Sequence, residues 1–481
     1  MIRNSYQLSW QMLPEEIQAQ ARSVTHLATH LEELKQAAQR LRERAAVRER
    51  GYFSPSEAEA ASQLLISYWM SRAALYEVIL GYRDAVDIPP ALRPTRFLIA
   101  YAAAILLVDA ARFLRESYHD QPAIRAELNR GEPAFGIPPD VYDTVQQSLT
   151  KPQHIWHLYH ALRFQANHAE ELRALGSDPL LAPLVAILDR RGHRLQVSLG
   201  DYAIARLRAD SRYVTNVVKR TLVEQALYGL QKLACLLVAD KYVRPGHQPA
   251  LPADVAEELR AVLCPGDVLV NRKDFAVTNY FLPGYWPHAA LYLGSPDDLE
   301  RMGLRQHEEV VPRWRRLLAL DQDEPRRVLE ALRDGVWLRS LRNPFRADAI
   351  AVVRPQLDDA GIAQAIGRGM VHESKPYDFD FDFSRSDRLV CTEVVYRSYD
   401  GIGGMRFSLL RRAGRLTIAA EDLLRMALDH NSFEPVAVYA PAWEPRLVHG
   451  HEVDRVLRST LGSHSPQRPT SREPWRLYLQ H

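Results

Sequence analysis

The hydrophobic pattern of this chain changes period near Tyr242, and that change divides what the chain can fold into. From about residue 14 to 245, apolar residues recur at helical spacing, as at Leu27, Leu31, Leu34, Ala38 and Leu41. The segment Arg244-Pro245-Gly246-His247-Gln248-Pro249 reads as a linker. Short strand-like runs follow: Val268-Leu269-Val270, Ala289 to Leu293, Val336-Trp337-Leu338, Ala349 to Val353 and Val436 to Tyr439. Helices are expected between them at about 357–370, 391–400 and 420–429. The pattern predicts an N-terminal all-α helical bundle over 1–245, an α+β domain with a small sheet over 250–450, and a partly flexible tail over 451–481. At 481 residues the chain is long enough for each part to bury its own core.

In the first part, Pro14-Glu15-Glu16 opens a charged amphipathic segment reaching Arg50, and Ser54-Pro55-Ser56-Glu57 has the form of a cap and first turn for a helix to about Tyr82. Further helices are expected at about 95–118, 139–150, 153–175, 179–191 and 200–242, with no fixed-period repeat. The most apolar run, Phe97 to Val108, is shorter than the roughly 20 residues of a membrane span and reads as a buried helix, so no integral membrane segment is expected. His154, His157, His160 and His168 have partial helical spacing but no matching carboxylate; packed or surface histidines are the simpler reading than a metal site.

Three cysteines (Cys235, Cys264, Cys391) cannot build a disulfide framework and suit a reducing compartment. With no signal-like N-terminus, a cytoplasmic location is expected. A net charge of +2 gives no argument for nucleic-acid binding.

Chemistry concentrates in the second part. Cys391 follows an apolar approach and starts a helix-forming run, Val390-Cys391-Thr392-Glu393-Val394-Val395-Tyr396. A helix N-terminus favours thiolate, the nucleophilic form. Glu393 in the first turn suits the helix dipole. His288 follows the turn Pro283-Gly284-Tyr285-Trp286-Pro287 and precedes a strand. Taken alone, each has a plain structural reading: a small core cysteine, a packed strand histidine. A zinc site from Cys391, His307 and His372 lacks paired spacing, and no cofactor is expected.

The order of motifs carries more than either residue. Cys264-Pro265-Gly266-Asp267-Val268-Leu269-Val270 resembles the opening strand of NlpC-type, papain-like cysteine hydrolases, and residues 281–294 resemble their histidine strand. Leu329-Glu330-Ala331 with Asp334-Gly335-Val336 resembles the next strand and its acidic residue; Lys375-Pro376-Tyr377-Asp378-Phe379 and 390–396 resemble the approach to the nucleophile and its helix. The cysteine follows the histidine here, as in the circularly permuted YiiX/YebB-like branch, to which lecithin–retinol acyltransferase is related. The resemblance covers about residues 262–445 and implies a permuted papain-like domain with a small antiparallel sheet.

What it implies for roles is Cys391 as nucleophile, His288 as general base and acid, and Glu330 as orienting carboxylate, with Asp334 as the alternative. Leu329-Glu330-Ala331-Leu332 reads equally as a solvated helix face. Tyr377 is the candidate oxyanion donor beside the Cys391 N–H. Tyr285 and Trp286 are candidate substrate-binding residues forming an apolar wall, or else core. The expected partner is a peptide-like or acylated small-molecule substrate. The expected activity is hydrolysis of an amide or peptide-like bond, the alternatives being acyl transfer, lipid deacylation, or a non-catalytic interaction protein. The sequence names no partner for the helical part.

Overall fold

The computed structural model describes residues 13–44, 47–81, 89–132, 137, 139–148, 161–195, 247–274, 284–321, 323–412, 415–430 and 432–461. The chain divides into two compact units: residues 1–133 with 137–240, and 241–481 with the short segment 134–136. The sequence expectations at His154, His157, His160, Cys235, helix 200–242 and tail 463–469 lie outside the described residues.

The principal helices of the first unit are α1 (Glu15–Arg44), α2 (Pro55–Leu80), α3 (Arg93–Tyr118) and α4 (Ala182–Arg191). α1 has Glu15 and Glu16 in its first turn and Arg42 and Arg44 in its last, both favourable to the helix dipole. It buries Ile17, Ala21, Val24, Leu27 and Leu31, one face at helical spacing. At the start of α2 the Ser54 N–H donates to Glu57 Oε2 at 2.8 Å, the cap its sequence announces. α3 is long and apolar enough to cross a membrane, yet 89% of its most apolar window is buried inside the unit, against α1, α2 and α4. Its interrupting charge, Asp109, is paired with Lys35 at 2.5 Å and Arg194 at 3.0 Å. The His168 ring stacks on Phe164, centroids 3.9 Å apart, and is a packed histidine.

In the second unit, α5 (Ala253–Val262) leads into an antiparallel sheet of eight strands among the described residues. These are β1 (Val268–Arg272), β2 (His288–Tyr292), β3 (Leu320–Asp321), β4 (Glu324–Leu332), β5 (Gly335–Ser340) and β6 (Ala349–Pro355), then β9 (Phe433–Ala440) and β10 (Glu444–His449). β7 (Leu410–Arg412) and β8 (Arg415–Thr417) form a separate hairpin. The sheet runs β10-β9-β6-β1-β2-β4-β3, with β5 on β4. Helices α6 (Asp359–Met370), α7 (Cys391–Tyr399), α8 (Ala420–Leu428) and α9 (Glu452–Thr460) complete the unit. One core gathers Leu269, Ala290, Val328, Val352 and Ala437 from five neighbouring strands. α9 lies within the stretch read from sequence as tail: it buries Val453, Val456 and Leu457 and packs on β9.

The entry to β1 is fixed by its turn. Gly266 has φ +90°, and a Cβ there would collide with Ile362, so only glycine fits. Asp267 is fully buried, accepting the Cys264 N–H at 2.8 Å and both Nε and Nη2 of Arg354 at 2.8 Å. Asp267→Ala leaves the Cys264 N–H without its acceptor and Arg354 with only the Val262 carbonyl, and should cost about 3 kcal/mol, read as a lower urea midpoint.

Candidate active site

His288 is the first residue of β2, opposite Asn271 of β1. β2 pairs with β4 through Leu291–Leu329 and Tyr292–Val328. Continuing that register one residue sets Glu330 opposite Ala290, on the face His288 shares and one diagonal step away. The side chains meet: His288 Nε2 lies 2.8 Å from Glu330 Oε1. From β5, Arg339 Nε approaches the second Glu330 oxygen at 3.7 Å. Asp334 instead forms the tip of the β4–β5 turn and pairs with Arg339, so it does not reach the imidazole.

The turn before β2 is held from several sides. Gly284 has φ +88°, and a Cβ would run into the Glu421 carboxylate, which accepts the Tyr285 N–H. The Tyr285 carbonyl accepts from Arg272 at 2.8 Å, and its ring meets Trp286 and Trp443 edge-on. Trp286 is 0% exposed and its Nε1–H donates to Thr460 at 2.8 Å. Tyr285 and Trp286, candidates for a substrate wall, are therefore packed core: both are buried, the Tyr285 backbone and the Trp286 indole are bonded inside, and they position the histidine strand.

Cys391 is the first residue of α7, which packs across β2 and β4. The thiol is within hydrogen-bond reach of His288 and of the backbone N–H groups of Ala289 and Thr392. With Nε2 engaged by Glu330, the ring nitrogen left for sulfur is Nδ1. Burial alone would raise the Cys391 pKa, but the His288 charge and hydrogen bond outweigh it and hold it below the ordinary thiol value. Burial would push His288 down, yet the sulfur, then Glu330, hold it up at about 9. Glu330, buried, would be raised by desolvation but is kept low by His288, then Arg339 and Lys273. All three shifts favour the charged forms: negative on Cys391 and Glu330, positive on His288.

Tyr377 is placed by a parallel bridge to Leu389, two residues before the cysteine. Burial, then the charges of Cys391 and Asp378, raise its hydroxyl well above the usual tyrosine value, so it stays a donor. As the first residue of α7, Cys391 also has an N–H with no intrahelical acceptor. Glu393 sits in the first turn as expected, but fully buried against Arg397 at 2.7 Å; burial raises its pKa to about 8. Among the described residues no group of three or more His, Cys, Asp or Glu side chains is placed to hold a metal.

Residues 262–445 match the family model described as permuted papain-like amidase enzyme, YaeF/YiiX, C92 family. The matched segment runs from the turn before β1 to the start of β10, and so contains Cys391, His288, Glu330 and Tyr377. The permuted papain-like resemblance and the antiparallel sheet of the second unit agree with this match, which supports activity of the cysteine-hydrolase type. No curated protein and no solved structure gives a significant match to the chain.

Arg339 and Lys273 around Glu330 were not singled out from the sequence. Arg339 was in principle legible: on β5 it alternates with Trp337, which pairs directly with Glu330.

Proposed function

We propose that the second unit is a cysteine hydrolase that cleaves an amide or peptide-like bond through a thioester on Cys391. The observation that carries this reading is the shared environment of three side chains from α7, β2 and β4: sulfur against imidazole, and imidazole 2.8 Å from the Glu330 carboxylate. Thiolate attack on the carbonyl carbon would give a tetrahedral oxyanion, with the Cys391 N–H and the Tyr377 hydroxyl as its donors. Imidazolium would then protonate the leaving amine as the C–N bond breaks. Neutral His288 would next take a proton from water, whose oxygen displaces the thiolate and releases the acid. Glu330 would keep Nε2 protonated, so that Nδ1 faces sulfur. We place the protein in the cytoplasm, on its three cysteines and reducing-compartment composition.

Rapid quenching of the purified protein with candidate amide substrates, followed by intact mass spectrometry, tests the proposal. A peptidyl adduct on Cys391 is the expected result; a long-chain acyl adduct would reassign the enzyme to lipid deacylation. No adduct on Cys391 despite turnover would end the thioester reading.

A pH dependence follows from the same pair. Hydrolysis needs thiolate with imidazolium, present above the lowered Cys391 pKa and below the His288 value of about 9. The kcat/KM profile should be flat through neutrality, fall as pH rises past about 9, and fall in acid as sulfur gains a proton. Iodoacetamide at pH 6.5 should label Cys391 ahead of exposed Cys264. Equal labelling of the two would show that no ion pair lowers the Cys391 pKa.

A further inference from the structure

Arg339 lies on β5 two positions beyond Trp337, which pairs with Glu330, so it stands a diagonal step from that carboxylate on the same face of the sheet. Its Nε is 3.7 Å from Glu330 Oε2, the oxygen that the His288 bond leaves unused. Its Nη2 donates to Asp334 Oδ1 in the β4–β5 turn. That turn is pinned in place. The Val336 N–H donates to the Lys375 carbonyl at 2.9 Å, and the Ser374 N–H donates to the Val336 carbonyl at 2.8 Å. Between them Gly335 has φ +106°, where a Cβ would run into the Lys375 carbonyl. Glu330, Asp334 and Arg339 are 1%, 2% and 4% exposed, so water screens little of the charge between them.

In the thioester intermediate the sulfur is acylated and uncharged, so His288 loses the first of its two anionic neighbours. What remains is the Glu330–His288 pair, and hydrolysis requires that it hold a single proton, on Nε2. A second proton stops the step wherever it goes. On the ring it occupies Nδ1 directly. On Glu330 it bonds to Nε2, and the ring's own proton moves to Nδ1. Yet Nδ1 is the atom that has to accept a proton from the attacking water. The affinity of the pair for that second proton is set by Arg339 from β5 and Lys273 just after β1, with Cys391 of α7 beside His288. Lys273 also faces Asp348 and Arg346, and burial lowers its own pKa. A guanidinium keeps its charge at every pH of turnover.

We propose that Arg339, held by Asp334, is a positioning residue for thioester hydrolysis: its charge keeps the Glu330–His288 pair singly protonated, with Nδ1 open to the proton of the attacking water. This role rests on the thioester chemistry proposed for Cys391.

The test loads the full-length protein with p-nitrophenyl acetate, a small activated ester. After removal of excess ester, loss of the acetyl group from Cys391 is followed by mass spectrometry between pH 5 and 9. Decay of the wild-type acetyl-enzyme should rise with pH to a plateau, as the pair gives up its second proton. In Arg339→Met the midpoint of that rise should move up by about one pH unit. Decay below the midpoint then slows about tenfold, while the plateau stays where it was. Arg339→Lys, which retains the charge, should keep the wild-type midpoint. Because Arg339→Met leaves the Asp334 carboxylate without this partner, the double variant Asp334→Asn/Arg339→Met is measured beside it and should shift the same way. An unmoved midpoint in both variants, whatever happens to the plateau, would make Arg339 a packing residue and overturn the proposal. An equal shift in Arg339→Lys would also overturn it, since charge would then not be the cause. Failure of the wild-type protein to carry any acetyl group on Cys391 would instead end the thioester reading, and this role with it.

Discussion

Replacing Cys391 by alanine is expected to lower kcat on an amide substrate by at least about 10³-fold while the protein melts as a folded molecule. The sulfur is the atom that bonds to the carbonyl carbon in the proposed step, and the other cysteine among the described residues, Cys264, is exposed before β1. The change removes one atom from a residue that is 4% exposed at a helix start, so its packing cost is small beside the chemical loss. Cys391→Ser should be nearly as inactive, since a serine hydroxyl is far less acidic than a thiol and stays protonated beside His288, whose imidazolium the sulfur no longer supports. Steady-state rates beside circular-dichroism melts decide it. Wild-type turnover in either folded variant would remove Cys391 from the reaction.

Glu330→Gln carries the second large effect. The carboxylate holds Nε2–H at 2.8 Å and supports the imidazolium charge. An amide of the same size can present its NH2 to that nitrogen and favour the opposite tautomer, leaving a proton on the atom that should face sulfur. A loss of about 10²–10⁴-fold in kcat is expected. Removing the anion also lowers the His288 pKa, so the alkaline limb of the profile should move to lower pH. The fold should survive, because Arg339 keeps Asp334 as its partner. A variant with reduced rate but an unmoved alkaline limb would mean that Glu330 packs beside the histidine without tuning it.

Much of this site could be read from the chain because its parts lie in short local signatures: a Pro-Gly-Asp turn into β1, a turn into a histidine strand, an apolar approach to a cysteine that starts a helix. What escaped depends on pairing between distant segments. Leu329-Glu330-Ala331-Leu332 has the composition of a helix face, and only its partners β2 and β5 make it a strand. Tyr285 and Trp286 are aromatic residues beside a reactive histidine, which in sequence suits a wall and a core equally; Thr460 and Trp443 settle it, and both lie far along the chain. α9 is short and charged, with a strongly one-sided apolar face that means little until β9 is there to cover it. The helical unit was legible as helices.

The bond from Trp286 to Thr460 spans 174 residues, and it ties the order of synthesis to the onset of reactivity. A ribosome will have released Cys391, His288 and Glu330 into the cell before the acceptor for the Trp286 indole exists. The nascent polypeptide therefore carries its thiol beside a histidine strand whose Trp286 indole is still unpaired, and α9 supplies the missing acceptor. A stop codon anywhere between 444 and 452 should yield a polypeptide that keeps every reacting group yet hydrolyses poorly.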